Sequence, residues 1–211
     1  MMIVCLGAFI SRNNFIRNTV LVSSVLGVDN EDVFDYIPSN DIFLYEDITA
    51  DSCLRVQKEM KFQENLSRNI HHKFKLDIYP SINLHIQSDG GTLSSALHLC
   101  DYIESFDIPI ITYVEGCVSS AASLISVCGK KRLMNKRSAL LIHEPTTELG
   151  TSGPNSLHDE AHNMDLLYNL MIDIYTSHSK LKSREIIKLI ENERYLNASE
   201  CLRFGFIDEI I

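Results

Sequence analysis

Ser120 sits where the apolar, β-branched run IPIITYV (108–114) gives way through EGCVSS to a run of small and apolar residues, AASLISVC (121–128). A serine at the turn from a buried strand into a helix exposes its hydroxyl. It also leaves the next backbone N–H, that of Ala121, free at the helix start, and a nucleophile with half an oxyanion hole needs that arrangement. Gly90 and Gly91 directly follow another strand-like run, INLHIQ (82–87). With no Cβ in the way, that backbone could bring a second N–H to the same point. His143 closes a third run, ALLIH (139–143), and so places a candidate general base on the same edge. Each signal alone has a plain structural explanation: a helix N-cap, a turn and a structural histidine. Their convergence on one sheet edge is what favours nucleophilic chemistry. His158-Asp159-Glu160-Ala161-His162 is superficially like the H-E-x-x-H zinc motif, but Asp159 stands where that motif needs glutamate and no third ligand is evident. It reads as a solvated helix face.

These residues need elements to hold them. IFLYEDI (42–48) reads as a strand and Ala50 to about Leu66 as an amphipathic helix. The following NLSRNIHHKFKLDIYPS reads as a polar connection, with His71 and His72 in a solvated loop. Leu93, Ala96, Leu97, Cys100 and Ile103 share one apolar helical face. Strands alternating with helices predict an α/β fold with a largely parallel, buried sheet, and such folds place chemistry at the carboxyl ends of their strands. A long helix is expected from about Ser156 to His178, on the order of 35 Å at 1.5 Å per residue. It carries two apolar stripes, more than one core needs, which points to contact with another subunit. A short helix from Ser183 comes next. Asn197 then reads as an N-cap with Glu200 at N3 in a capping box, Gly205 as the end of that helix and FIDEII as a closing strand.

Composition bounds the function classes. The chain has 211 residues, 45% of them hydrophobic, with 19 Lys+Arg against 28 Asp+Glu, a net charge of −9. That is one domain's worth of chain with a core, and the acidic balance without any basic patch argues against nucleic-acid binding. No apolar run is long enough to span a bilayer. The six cysteines are scattered without a C-x-x-C pair. They read as reduced small hydrophobes of a cytoplasmic or organelle-stromal protein, with no metal implied. Residues 1–41 form a divergent N-terminal arm or docking segment, and 42–211 one domain.

INLHIQSDGGT, EGCVSSAAS and LLIHEP, in this order and spacing, resemble the proteolytic subunit of Clp protease, and the likeness runs from about Ile42 to the end, some four-fifths of the chain. The resemblance implies the ClpP/crotonase-like fold of repeated β-β-α units with a protruding strand-helix handle, and a serine endopeptidase that needs no cofactor. It makes Ser120 the nucleophile, His143 its base, and the N–H groups of Gly91 and Ala121 the oxyanion donors, over the neighbouring Ser119 and Ser123. The family's aspartate precedes an aromatic residue, and here Glu193-Arg194-Tyr195-Leu196 makes Glu193 the matching acid; Glu191 and Asp173 are weaker candidates. A glutamate can orient an imidazolium as aspartate does, but its extra methylene needs a shifted backbone or another rotamer. The resemblance further implies heptameric rings, stacked in pairs as a tetradecamer through the strand and helix at 144–178. Unfolded polypeptides would be delivered by a separate AAA+ ATPase, since no G-x-x-x-x-G-K-[ST] loop is present.

Two departures keep rival readings in play. Asp89 replaces the family's proline close to the expected oxyanion hole, where a negative charge opposes a developing oxyanion unless it points away. With Glu193, it motivates a catalytically weak or silent ring subunit assembling with a homologous active chain. A crotonase-type acyl-CoA enzyme would suit the same fold, but does not need the combination of Ser120 and His143.

Overall fold

A parallel sheet runs through the middle of the chain, five strands of it side by side in the order Asp41–Leu44, Ile82–Ser88, Ile110–Ser119, Lys131–Met134 and Glu209–Ile210. The computed structural model describes residues 39–146 and 154–211, so the arm assigned to 1–41 and the strand of the expected handle lie almost wholly outside the described residues. The elements are β1 (Asp41–Leu44), α1 (Ala50–Phe74), β2 (Ile82–Ser88), α2 (Leu93–Glu104), β3 (Ile110–Ser119), α3 (Ala121–Val127), β4 (Lys131–Met134) and β5 (Ala139–Leu141). After these come α4 (Pro154–Ser177), α5 (Ser183–Ile190), β6 (Tyr195–Asn197), α6 (Ala198–Phe204) and β7 (Glu209–Ile210). Strand and helix alternate as expected of an α/β protein.

β3 is the axis of the site. Its first half pairs in parallel with β4 and its second half with β5, while β2 flanks it throughout. Residues 115–119 are therefore strand, and the expected turn is confined to Ser120. The sequence misleads because the register slips between Ile86↔Val114 and Ser88↔Val118, so β3 spends extra residues around Gly116, which sits at φ +57. A glycine inside a strand marks such a bulge, which bends the strand and re-aims the residues beyond it. The bend lets β3 leave β4 and reach β5 with Ser119 still in the ladder.

β4 was not anticipated, because Lys131 and Arg132 give it no alternating pattern. α1 runs well past Leu66, through the expected polar connection, and places His71 and His72 in its last turn. What extends it is charge, not apolar spacing: Glu64 accepts from Lys61 at 2.5 Å and from Arg68 at 2.8 Å, i,i+3 and i,i+4 pairs on one helical face. Thr49 and Ser52 close its start in a reciprocal capping box.

Ile42, Leu44, Leu84, Ile86, Ile110 and Val114 pack one sheet face into the core beneath the helices. The other face is less covered than a buried parallel sheet requires. Phe43 and Tyr45 are 48% and 49% exposed there, and His85 stacks against Phe43 and Tyr113. α4 behaves similarly. Met171, Ile172 and Tyr175 are buried, whereas Leu166 and Leu170 are 55% and 43% exposed and Ala161 faces out. The tail follows expectation: Asn197 and Glu200 form the capping box, and Gly205 ends α6 in the left-handed region.

Candidate active site

Every residue of α3 is buried, so this short helix is fixed between the sheet and its neighbouring helices. Ser120 precedes it, and the corner into it is strained: φ +55 and ψ −130 lie outside the regions an L-residue favours. Such geometry persists only where the surroundings enforce it. Here Ser120 N–H donates to Leu141 O at 2.9 Å, Ser123 N–H donates to Ser120 O at 2.9 Å, and Ser123 Oγ donates to the same carbonyl at 2.6 Å. The Ser120 hydroxyl does not cap the helix and makes no hydrogen bond among the described residues, so the N-cap explanation does not apply.

Its neighbours are otherwise placed. Ser119 is buried, its hydroxyl without a partner among the described residues. Ser123 is fully buried and bonds Tyr175 Oη at 2.6 Å. Burial pushes the Tyr175 phenol well above its ordinary value, so it stays neutral and can donate. The sequence did not mark this link, which runs from α4 through Ser123 to the carbonyl of Ser120. Tyr175→Phe should lower the thermal midpoint by about 2–6 °C, because one buried hydrogen bond contributes about 1–1.5 kcal/mol. A thermal unfolding curve checks it, and an unchanged midpoint would show that the bond contributes nothing.

Gly90 lies against that corner, and Gly91 follows it against Ile48. Gly90 approaches so closely that a Cβ on it would fall 2.6 Å from Ser120 Cβ. Gly91 bridges to Ile48 in parallel fashion: Ile48 N–H donates to Gly90 O at 2.8 Å and Thr92 N–H to Ile48 O at 2.7 Å. Those bonds bypass Gly91 itself, whose N–H is left for the opposite side. That side belongs to β3, because β2 lies between β1 and β3. Asp89 is exposed and has no ion-pair or hydrogen-bond partner among the described residues.

His143 lies two residues past β5, on the same connection that holds Ser120 N–H through Leu141. β5 and β6 are antiparallel with Ala139↔Asn197, Leu140↔Leu196 and Leu141↔Tyr195 in register. Continued by two residues, that register sets His143 opposite Glu193, and the Glu193 carboxylate is 3.9 Å from His143 Nδ1. Glu193 sits at φ +38, in the left-handed region. Its side chain is 66% exposed and the gap exceeds a hydrogen bond. Glu191 and Asp173 are both exposed, and neither is paired with His143. His158 and His162 are exposed on α4. Cys53, Cys100, Cys128 and Cys201 are buried free thiols, whereas Cys117 is exposed.

A parallel-sheet α/β chain with a serine corner, a glycine pair and a histidine at the carboxyl ends of its strands falls in the ClpP/crotonase-like class. Comparison with known families narrows this: the chain belongs to the Clp protease family, whose model matches residues 30–211. Among curated proteins it is 30% identical over 129 residues to ATP-dependent Clp protease proteolytic subunit 1 of Protochlamydia amoebophila, covering 60% of this chain and 63% of that one. It is 26% identical over 188 residues to the subunit of the same name in Chlamydia muridarum, covering 86% and 92%. The Deinococcus radiodurans proteolytic subunit is 25% identical over 132 residues, covering 62% of this chain and 64% of that one. At such identities this is a divergent member. No helix among the described residues is long and apolar enough to cross a membrane.

Proposed function

We propose that the chain is a serine endopeptidase subunit of a Clp-type protease. Ser120 Oγ attacks the peptide carbonyl, and His143 takes its proton and returns it to the leaving amine. Glu193 orients His143, and the N–H groups of Gly91 and Ala121 hold the oxyanion, each worth about 10²–10³ in kcat by analogy with other oxyanion donors. The observation that carries the reading is the free Ser120 hydroxyl on a strained corner whose own N–H is tied to the strand leading to His143. The absence of a Ser120–His143 hydrogen bond fits a substrate-free site, where such bonds are commonly long and tighten with substrate.

The substrates are unfolded polypeptides, enclosed in a chamber built by rings of this chain and fed by an AAA+ ATPase in the cytoplasm. The half-covered sheet face with Phe43 and Tyr45, and the exposed Leu166 and Leu170 on α4, support assembly, since contiguous apolar surface of this kind marks subunit contact.

A fluorophosphonate probe tests the reading. The folded protein should be labelled, and labelling should vanish in Ser120→Ala. Folded protein that takes no label would leave the silent ring subunit as the better account, and turnover of acyl-CoA thioesters without peptide hydrolysis would favour crotonase chemistry. Glu193→Gln should lower kcat/KM by about 10–100-fold, less than the ~10⁴ lost with the acid of a tight triad, because this carboxylate is largely solvated and 3.9 Å away. Peptide hydrolysis at saturating and limiting substrate measures it. Unchanged kinetics would remove Glu193 from the mechanism.

A further inference from the structure

Three helices end against one another on the far side of α3 from Ser120. Glu104 is the last residue of α2, Cys128 caps α3, and His178 follows α4 directly. One ligand atom from each, a carboxylate oxygen, the thiol sulphur and a ring nitrogen, lies within 4.8 Å of the other two. His178 Nε2 and Glu104 Oε1 are 2.7 Å apart. The cluster opens onto a cavity of about 760 Å³, lined also by Lys130, Arg132 and Asp208.

We infer that Glu104, Cys128 and His178 form a binding site for a divalent transition metal, of which zinc fits best. Thiolate, imidazole and carboxylate are the donors zinc takes, and three protein ligands with a fourth position open to water is a recurring arrangement. Bonds of about 2.0–2.3 Å put tetrahedral ligand atoms about 3.3–3.8 Å apart, so the His178–Glu104 pair has to open by less than ~1 Å. Charge also closes: a thiolate and a carboxylate balance Zn²⁺ in a half-buried place. The carboxyl-terminal ends of the two longer helices, α2 and α4, add the negative ends of their dipoles. Arg132, on the cavity wall, is held by Asp208 in a two-pronged pair and donates to the carbonyl of His178, which steadies the ligand from behind. On binding, the metal displaces to solvent the Cys128 thiol proton, which otherwise donates to Leu124 O, and the proton between His178 Nε2 and Glu104 leaves Nε2 for Nδ1 or solvent, so that two metal bonds replace that hydrogen bond. The bound ion pins α2, α3 and α4 together at their ends, independently of hydrolysis at Ser120.

The test titrates the full-length, chelator-stripped protein with Co²⁺. One equivalent per chain should produce a thiolate-to-cobalt charge-transfer band that survives Cys117→Ser, the exposed thiol, and disappears in Cys128→Ser. Competition with a chromophoric chelator should show Zn²⁺ affinity falling about tenfold or more in Glu104→Gln and in His178→Ala, while fluorophosphonate labelling of these two variants is unchanged. Those two side chains are not buried, so the test stands even if Cys128→Ser fails to fold. No charge-transfer band, a band that persists in Cys128→Ser, or Zn²⁺ affinity unchanged in both other variants would overturn the site. That result would leave a His178–Glu104 hydrogen bond at a helix end.

Discussion

Ser120→Ala should abolish peptide hydrolysis, with kcat falling about 10⁵–10⁶-fold, while the thermal midpoint moves by no more than ~2 °C. The two halves of that expectation come from one feature, a hydroxyl that does nothing for the fold. It neither caps α3 nor bonds elsewhere, so alanine leaves no buried group without a partner. The neighbouring serines should behave in the opposite way. Ser123→Ala removes a hydroxyl shared by Tyr175 and the Ser120 carbonyl, leaves the fully buried Tyr175 Oη unpaired, and should cost about 1–3 kcal/mol while keeping the label on Ser120. Ser119→Ala discards a buried hydroxyl that has no partner and should be nearly neutral. Steady-state hydrolysis, probe labelling and unfolding curves on the three variants separate them. A Ser120→Ala protein that still hydrolyses peptides would move the nucleophile elsewhere, and one that unfolds would mean the hydroxyl is structural after all.

The parts of this architecture that were legible from sequence are those where local pattern and tertiary role coincide. INLHIQ alternates because one face of β2 is core, and α3 follows Ser120 because AASLISVC is apolar on every side, as a helix buried all round must be. Legibility failed where distant partners decide. Nothing local marks Lys131–Met134 as a strand; it is one because β3 and β7 stand on either side. The bulge at Gly116 reads as a turn until the pairing with β2 is known. The second half of α1 is held by Glu64 with Lys61 and Arg68, a charge pattern that an apolar template overlooks. At the site, Ser120, His143 and the glycine pair could be read because each sits at a strand end. Tyr175 lies 52 residues from Ser123 and carried no signal beyond membership of an apolar stripe. Glu104, Cys128 and His178 were equally invisible: their spacing follows from where three helices stop, not from a motif.

Gly90→Ala should damage both fold and activity. Gly90 sits at φ +106, where an L side chain strains the backbone, and its added Cβ would lie 2.6 Å from Ser120 Cβ and 2.8 Å from Ser119 O. Neither neighbour is the free end of a flexible side chain. One is the anchor atom of the nucleophile, and the other is main chain at the end of β3. The strain therefore has to be relieved by moving the glycine loop or the serine corner. Relief through the loop shifts the N–H of Gly91, and relief through the corner shifts Ser120 Oγ itself. A displacement near 1 Å at either place costs about 10²-fold in turnover. The combined backbone strain and clash should cost about 2–3 kcal/mol, or about 5–10 °C in thermal midpoint. Gly91→Ala is a different lesion, because its added Cβ would fall 2.3 Å from Ile48 O on the β1 side and not against the serine. It should lose at least as much stability through the Ile48 bridge and slow turnover through its own displaced N–H, with Ser120 left in place. A Gly90→Ala protein labelled by the fluorophosphonate at the parent's rate would mean that Gly90 does not set the position of Ser120.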